Sequence, residues 1–381
     1  MITTLPVVVA PESVAPDSRP KGRLEFIDGL RGTAVAMVIL AHFYPRAYSF
    51  GLPRWADSFS LGYLGVHLFL LLSGFCVAWA YLGSPPRPFA VADFAKRRAL
   101  RILPAYYVAL LISAVLAAPG YGAVEFARQL LVHAVMLHNL SPTTALAFNP
   151  PFWSLALECQ LYVCFPLMLL AYRRFGIASC LASVFALQTA FRVYALRYGT
   201  EFNSTLVVVP WSVAGRLSEF ALGLAAAIVV SNARLASLPA KVRALLPLGV
   251  PVLFACALFS KSRFGTSHPL TDALWSLGFF LLLLGASLPG ALLNRLLSQP
   301  RLVRLGIFSY SVYLVHELVL ARLMTPLLPL PLFRGHPLLL LPVVFVLAIA
   351  SGYAFYRLVE RPAIKLFAAR RMAAAHSSSP T

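Results

Sequence analysis

The sequence predicts an all-α polytopic membrane protein, a bundle of about ten transmembrane helices with both termini in the cytoplasm. Three observations predict it. The 381 residues are 60% hydrophobic and only 12% charged, with mean hydropathy +0.79, whereas a soluble domain carries about 25% charged residues. Apolar runs long enough to cross the ~30 Å hydrocarbon layer as helices recur along the chain. Positive charge gathers in alternate connections between those runs. This composition excludes a cytosolic enzyme, a disordered protein and a secreted disulfide scaffold.

The chain opens on residues 1–22, which hold four prolines among Ser, Asp and Glu and are expected to form a disordered tail. The run Leu5–Ala10 lacks a basic flank, so no signal peptide is expected. The membrane domain is expected over 23–366, with a Ser/Ala-rich disordered tail at 367–381. Ten apolar stretches follow one another, at about 30–48, 61–82, 102–118, 152–171, 176–196, 205–230, 244–259, 270–288, 305–325 and 337–357. An eleventh, 123–140, contains Glu125, Arg128, His133 and His138 and reads as interfacial or re-entrant.

The charge distribution supports the count. Of 32 Lys and Arg residues, 22 fall in connections that are cytoplasmic if the N-terminus is inside and 8 in the opposite set. Arg216 and Arg322 lie within spans. Basic loops therefore account for the net charge of +19, and no nucleic-acid partner is expected. Cys76, Cys159, Cys164, Cys180 and Cys256 lie in apolar runs without metal-ligand spacing, so neither a disulfide framework nor a metal is expected.

An ionisable side chain at the bilayer centre costs about 2.5–3.5 kcal/mol even on the lenient insertion scale, so each needs a partner, a wet cavity or a function. Arg31 and His42 are eleven residues apart, on one helical face and about 16 Å apart along the axis. They fit a cation holding an anionic carrier at the lip with a proton-accepting imidazole beyond it. They fit equally an interfacial anchor and a hydrogen-bonded core histidine. Arg98 and Arg101 share a face at i,i+3 within a basic cluster opening the third span. They fit a phosphate clamp or plain topology. Glu158, two turns into the fourth span, matches His42 in depth and would either orient that imidazole or pair with Arg216. Arg216 and Glu219 read as a self-neutralising pair. His316 matches His42 in depth too, and the two would line one cavity or be separate core groups. His67 receives no role.

Several segments occur in order: FIDGLRGTAVAMVILAHF, GVHLFLLLSGF, FAKRRALRILPAYY, FWSLALECQLY, GRLSEFALG, SYSVYLVHELV and a late Glu360-Arg361-Pro362. Together they resemble the acyltransferase-3 family of bacterial integral-membrane O-acyltransferases, over about residues 24–365. The resemblance implies a domain of about ten spans in the cytoplasmic (inner) membrane. It implies transfer of an acyl group, acetyl by default, from acyl-CoA as co-substrate to a hydroxyl of a glycan, lipid-linked sugar or glycosylated small molecule, with no tightly bound cofactor. By motif, His42 becomes the catalytic base, or an acylated histidine, and Glu158 its catalytic companion. Arg31, Arg98, Arg101 and His316 become binding residues for acyl-CoA or substrate. His67, where relatives often have a small or acidic residue, and Cys159, where they often have a polar one, depart from the pattern outside its core. Relatives often continue into a hydrolase-like domain, and this chain is expected to act without one or with a separate partner. The rival class is a polytopic transporter or flippase of a glycan or organic acid, which midplane charges and ten spans also fit.

Overall fold

The computed structural model describes residues 24–82, 89–202, 211–232, 235, 237–266 and 268–367. The expected tails lie outside the described residues, except that Phe367 closes the last helix. All regular structure among the described residues is helical.

Helix α1 (Glu25–Tyr48) is followed by a 3-10 segment, Arg54–Tyr63, that leads into α2 (Leu64–Leu82). Then come α3 (Val91–Ala117), α4 (Ala123–Ala134), α5 (Pro142–Ala145), α6 (Phe152–Phe202), α7 (Val213–Ser231), α8 (Ala240–Phe264) and α9 (Pro269–Ala286). The chain ends through α10 (Leu292–Leu297), α11 (Pro300–Ile307), α12 (Ser309–Leu327) and α13 (Leu341–Phe355), the last continuing through a π turn at Tyr356–Glu360. Among the described residues, eight helical stretches are long and apolar enough to cross a membrane. A ninth arises if α11 and α12, bent by 76° at Phe308, form one broken span. The 123–140 stretch forms only α4 and a 3-10 turn, too short to span.

The difference from ten centres on α6. As one rod its 51 residues would run about 76 Å, more than twice the hydrocarbon thickness. It is not one rod. The Cys180 thiol lies 3.8 Å from the Met168 carbonyl, although twelve residues on a straight helix are about 18 Å apart. The chain folds back near Gly176, whose φ of +81° is open to a residue without Cβ. Helix α7 starts at Val213, where the Ser212 hydroxyl accepts the Gly215 N–H at 3.1 Å. The expected start of that span at 205 lies outside the described residues.

Polarity is inverted relative to a soluble protein. Val163, Leu167 and Phe259 are 77%, 70% and 71% exposed on the outer surface, while Arg192, Glu219 and His316 are buried. Outward apolar side chains cost nothing against lipid, so close packing falls to small residues at helix crossings. Helices α2 and α7 show this: a Cβ on Gly74 would run into the Phe220 carbonyl, and one on Gly223 into that of Leu71. This contact fixes the wall that carries Ser73 and Cys76 (α2).

Candidate active site

The expected site residues divide between two adjoining constellations. The first is a cavity with about 820 Å³ of empty space including its open end, between α1, α2, α3, α6 and α12. It brings together Arg31, Arg98, Arg101 and Glu158 from three separate helices. Glu158 Oε1 accepts hydrogen bonds from the Ser73 hydroxyl at 2.6 Å and the Tyr162 hydroxyl at 2.5 Å. The Arg98 guanidinium lies over the Tyr162 ring, 5.7 Å from its centroid, and its Nε is buried without a hydrogen-bond partner. Arg101 instead donates to Glu360 at 2.6 Å, and the second Glu360 oxygen accepts from Ser311 at 2.5 Å. Arg101 is therefore partly neutralised, whereas Arg98 retains an unused donor, the condition under which a guanidinium binds an incoming anion most strongly.

The cavity ends on aromatic rings. Phe69 and Tyr313 meet edge to face with centroids 5.7 Å apart, and the Tyr313 hydroxyl is anchored by Ser154 at 2.5 Å and by the Pro151 carbonyl at 3.1 Å. The second constellation lies past this wall, where the Tyr313 ring centroid is 5.6 Å from that of His316. The His316 and His42 rings meet nearly perpendicular, centroids 4.9 Å apart. Depth matching therefore places these two histidines together. Each ring uses Nδ1 on its own helix: His42 with the Val38 carbonyl at 2.9 Å, His316 with the Tyr313 carbonyl at 2.8 Å. A carbonyl only accepts, so Nδ1 carries the hydrogen and Nε2 keeps its lone pair. That is the tautomer a proton-accepting histidine needs.

Glu158 makes its hydrogen bonds to Ser73 and Tyr162, not to His42 or Arg216, in contrast to what depth alone suggested. The carboxylate beside the histidines is Glu317, ion-paired with Arg46, which also donates to the His42 carbonyl at 2.9 Å. Arg216 does pair with Glu219, at 3.1 Å, and the pair belongs to a wider buried network. His67 lies 3.1 Å from Glu219, Arg216 is 3.4 Å from Asp272, and Arg192 pairs with Asp272. This network ties α2, α6, α7 and α9 together, which gives His67 a structural place.

Tyr162, Glu317, Arg46 and Glu360 escaped the reading of the sequence as site residues. Glu317 is adjacent to His316 inside the ninth apolar stretch and Glu360 sits in the Glu-Arg-Pro segment just past the tenth, so both carboxylates stood next to residues or motifs already singled out. Their partners, 271 and 259 residues away in the chain, were not.

A multi-pass helical bundle that encloses a basic cavity and a submerged histidine pair defines an integral membrane protein with an internal polar site. The sequence profile of the acyltransferase-3 acyltransferase domain matches residues 24–357, and the chain belongs to that family of membrane acyltransferases. Among curated relatives, the acyltransferase MdmB of Streptomyces mycarofaciens is 26% identical over 402 aligned positions, covering 92% of this chain and 94% of MdmB. BcsY of Komagataeibacter xylinus, provisionally named a membrane-bound transacylase, is 28% identical, covering 79% of this chain and 74% of BcsY. YrhL of Bacillus subtilis (strain 168), provisionally named a peptidoglycan O-acetyltransferase, is 28% identical over 88% of this chain. The chain spans about half of YrhL, 54% of its length. No solved structure gives a significant match.

Proposed function

We propose that this acyltransferase moves an acyl group, acetyl by default, from acyl-CoA to a hydroxyl of a glycan, a lipid-linked sugar or a glycosylated small molecule, with His42 as general base. The observation that carries the reading is the order of groups: Arg31, Arg98 and Arg101 in the cavity, then the Phe69–Tyr313 wall at its end, then His316 against His42 beyond that wall. In this account the arginines take the phosphates of acyl-CoA, and the pantetheine arm enters the cavity and reaches toward His42 as the Phe69 and Tyr313 rings part to admit it. Arg31 and His42 are about 16 Å apart along α1, a distance suited to an extended arm. His42 Nε2 removes the acceptor hydroxyl proton and the oxygen attacks the thioester carbonyl. The C–S bond breaks, and the CoA thiolate leaves with the proton carried by the imidazolium. Positioned base catalysis of this kind contributes about 10²–10⁴-fold.

The topology in this account has ten spans, the α6 hairpin counting as two and α11–α12 as one. Both termini then lie in the cytoplasm of a bacterial inner membrane, where positive charge is retained and acyl-CoA is made. The test uses purified protein in lipid nanodiscs with radiolabelled acetyl-CoA and a glycan extract of the source cells. Saturable release of CoA with label appearing in the glycan fraction is expected. Absence of acetyl-CoA binding, together with uptake of labelled glycan into proteoliposomes, would replace the reading with transport.

A further inference from the structure

Three proton acceptors converge where the Arg46 guanidinium, on Glu317 Oε1, is the donor the described residues offer them. One ring nitrogen of His42, one of His316 and a carboxylate oxygen of Glu317 all lie within 4.8 Å of one another. His316 is fully buried and Glu317 is 4% exposed. His316 Nε2 and Glu317 Oε2 are both buried without a hydrogen-bond partner. Leaving a buried acceptor unsatisfied costs about 1–3 kcal/mol, more for a charged group, and both atoms belong to residues of this one cluster.

We propose that His42, His316 and Glu317 form a binding site for a divalent transition metal of the zinc type. The donor set of two imidazoles and one carboxylate is one that zinc takes, leaving a fourth position open. Magnesium and calcium prefer all-oxygen shells. Metal-bound histidines almost always donate the other ring N–H to a carbonyl or carboxylate, and ligating carboxylates are themselves hydrogen-bonded. Both histidines donate Nδ1–H to backbone carbonyls, and Glu317 Oε1 is held by Arg46, which leaves Oε2 without a partner. All three ligands are thus braced from behind in the manner a metal site requires. With bonds of about 2.1 Å, tetrahedral ligand atoms sit about 3.4 Å apart, so closure moves each ligand atom by about 1 Å or less.

Metal in this site occupies the lone pair that the base reading assigns to proton transfer. Zinc therefore inhibits acyl transfer, a consequence that rests on His42 acting as base, whereas the site itself does not.

The test uses the full-length protein in nanodiscs, freed of any affinity tag and stripped with EDTA. Zinc chloride titrated calorimetrically is expected to bind at one ion per chain. Cobalt(II) is expected to give the intense visible absorption of a tetrahedral site. His316→Gln and Glu317→Gln, which retain size, should each weaken zinc binding by about 10-fold or more. Failure to bind stoichiometric zinc or cobalt overturns the proposal, as does binding that both variants leave unchanged. Zinc that binds through these residues while acyl transfer continues at full rate leaves the site standing and removes His42 as base.

Discussion

Removing Arg98 and removing Arg101 should have different consequences, although the two residues sit one helical turn apart on the same face. Arg98 stands over Tyr162 with a buried, unpartnered Nε, while Arg101 is held by Glu360, which is 1% exposed. Arg98→Ala deletes a preorganised donor that an anion would use. A hydrogen bond involving a charged group is worth about 1.5–3 kcal/mol, and 1.36 kcal/mol is a factor of ten. The KM for acyl-CoA should therefore rise about 10- to 150-fold, with kcat and membrane protein level little changed. Arg101→Ala leaves Glu360 as an uncompensated buried charge, a defect that costs about 3–5 kcal/mol, so it should chiefly lower yield and thermal stability in detergent. Initial rates against acyl-CoA concentration, with size-exclusion profiles of both variants, separate the two effects. An Arg98→Ala protein with unchanged KM, or with the folding defect assigned to Arg101→Ala, would refute this division.

Further outcomes follow from buried charge. Asp272→Asn leaves Arg192 and Arg216 with less countercharge and should cost about 3–5 kcal/mol, read as earlier thermal unfolding in detergent. An Arg192→Leu/Asp272→Leu double variant should recover much of that loss, and equal stability of Asp272→Asn and the parent would contradict the network's structural role. Outside the spans, His138 is fully buried and stacked on His133 at 4.0 Å, and burial pushes its pKa down to about 3. Unfolding exposes an imidazole that protonates below its ordinary 6.5. The folded segment thus binds fewer protons than the unfolded one between about pH 6.5 and 3, and loses stability as pH falls through that window. Hydrogen-exchange protection factors across 123–149, corrected for the intrinsic pH dependence of exchange, should be lower at pH 5 than at pH 7, and His138→Phe should flatten the difference; a difference that stays steep in His138→Phe assigns the titration elsewhere.

Much of this was legible in the sequence because the bilayer constrains what an apolar run can be. The length of the apolar runs gave the helical class, since a run of about 20 apolar residues crosses lipid as a helix whose backbone is satisfied internally. Depth along a helix is also readable: His42 and His316 were matched by counting residues, and they touch. Azimuth is not readable. Glu158 has the right depth to reach His42 but faces Ser73 and Tyr162, because rotation about the helix axis is set by packing against α2 and α7. Glu317 was a submerged carboxylate without a visible partner until α1 placed Arg46 against it. The reversal within α6 was legible too: Arg173 and Arg174 separate the apolar runs 152–171 and 176–196, and the positive φ of Gly176 and the Cys180–Met168 contact lie at that break.

Single-turnover acyl transfer by His42→Gln, in nanodiscs with acetyl-CoA in excess, tests the central claim most directly. The variant keeps a polar side chain of similar size but has no basic lone pair. Transfer should fall by about 10²–10⁴-fold while acetyl-CoA binding, measured separately by equilibrium dialysis, stays at the parental level. Transfer at the parental rate would show that another group takes the hydroxyl proton, and the assignment of His42 would be wrong.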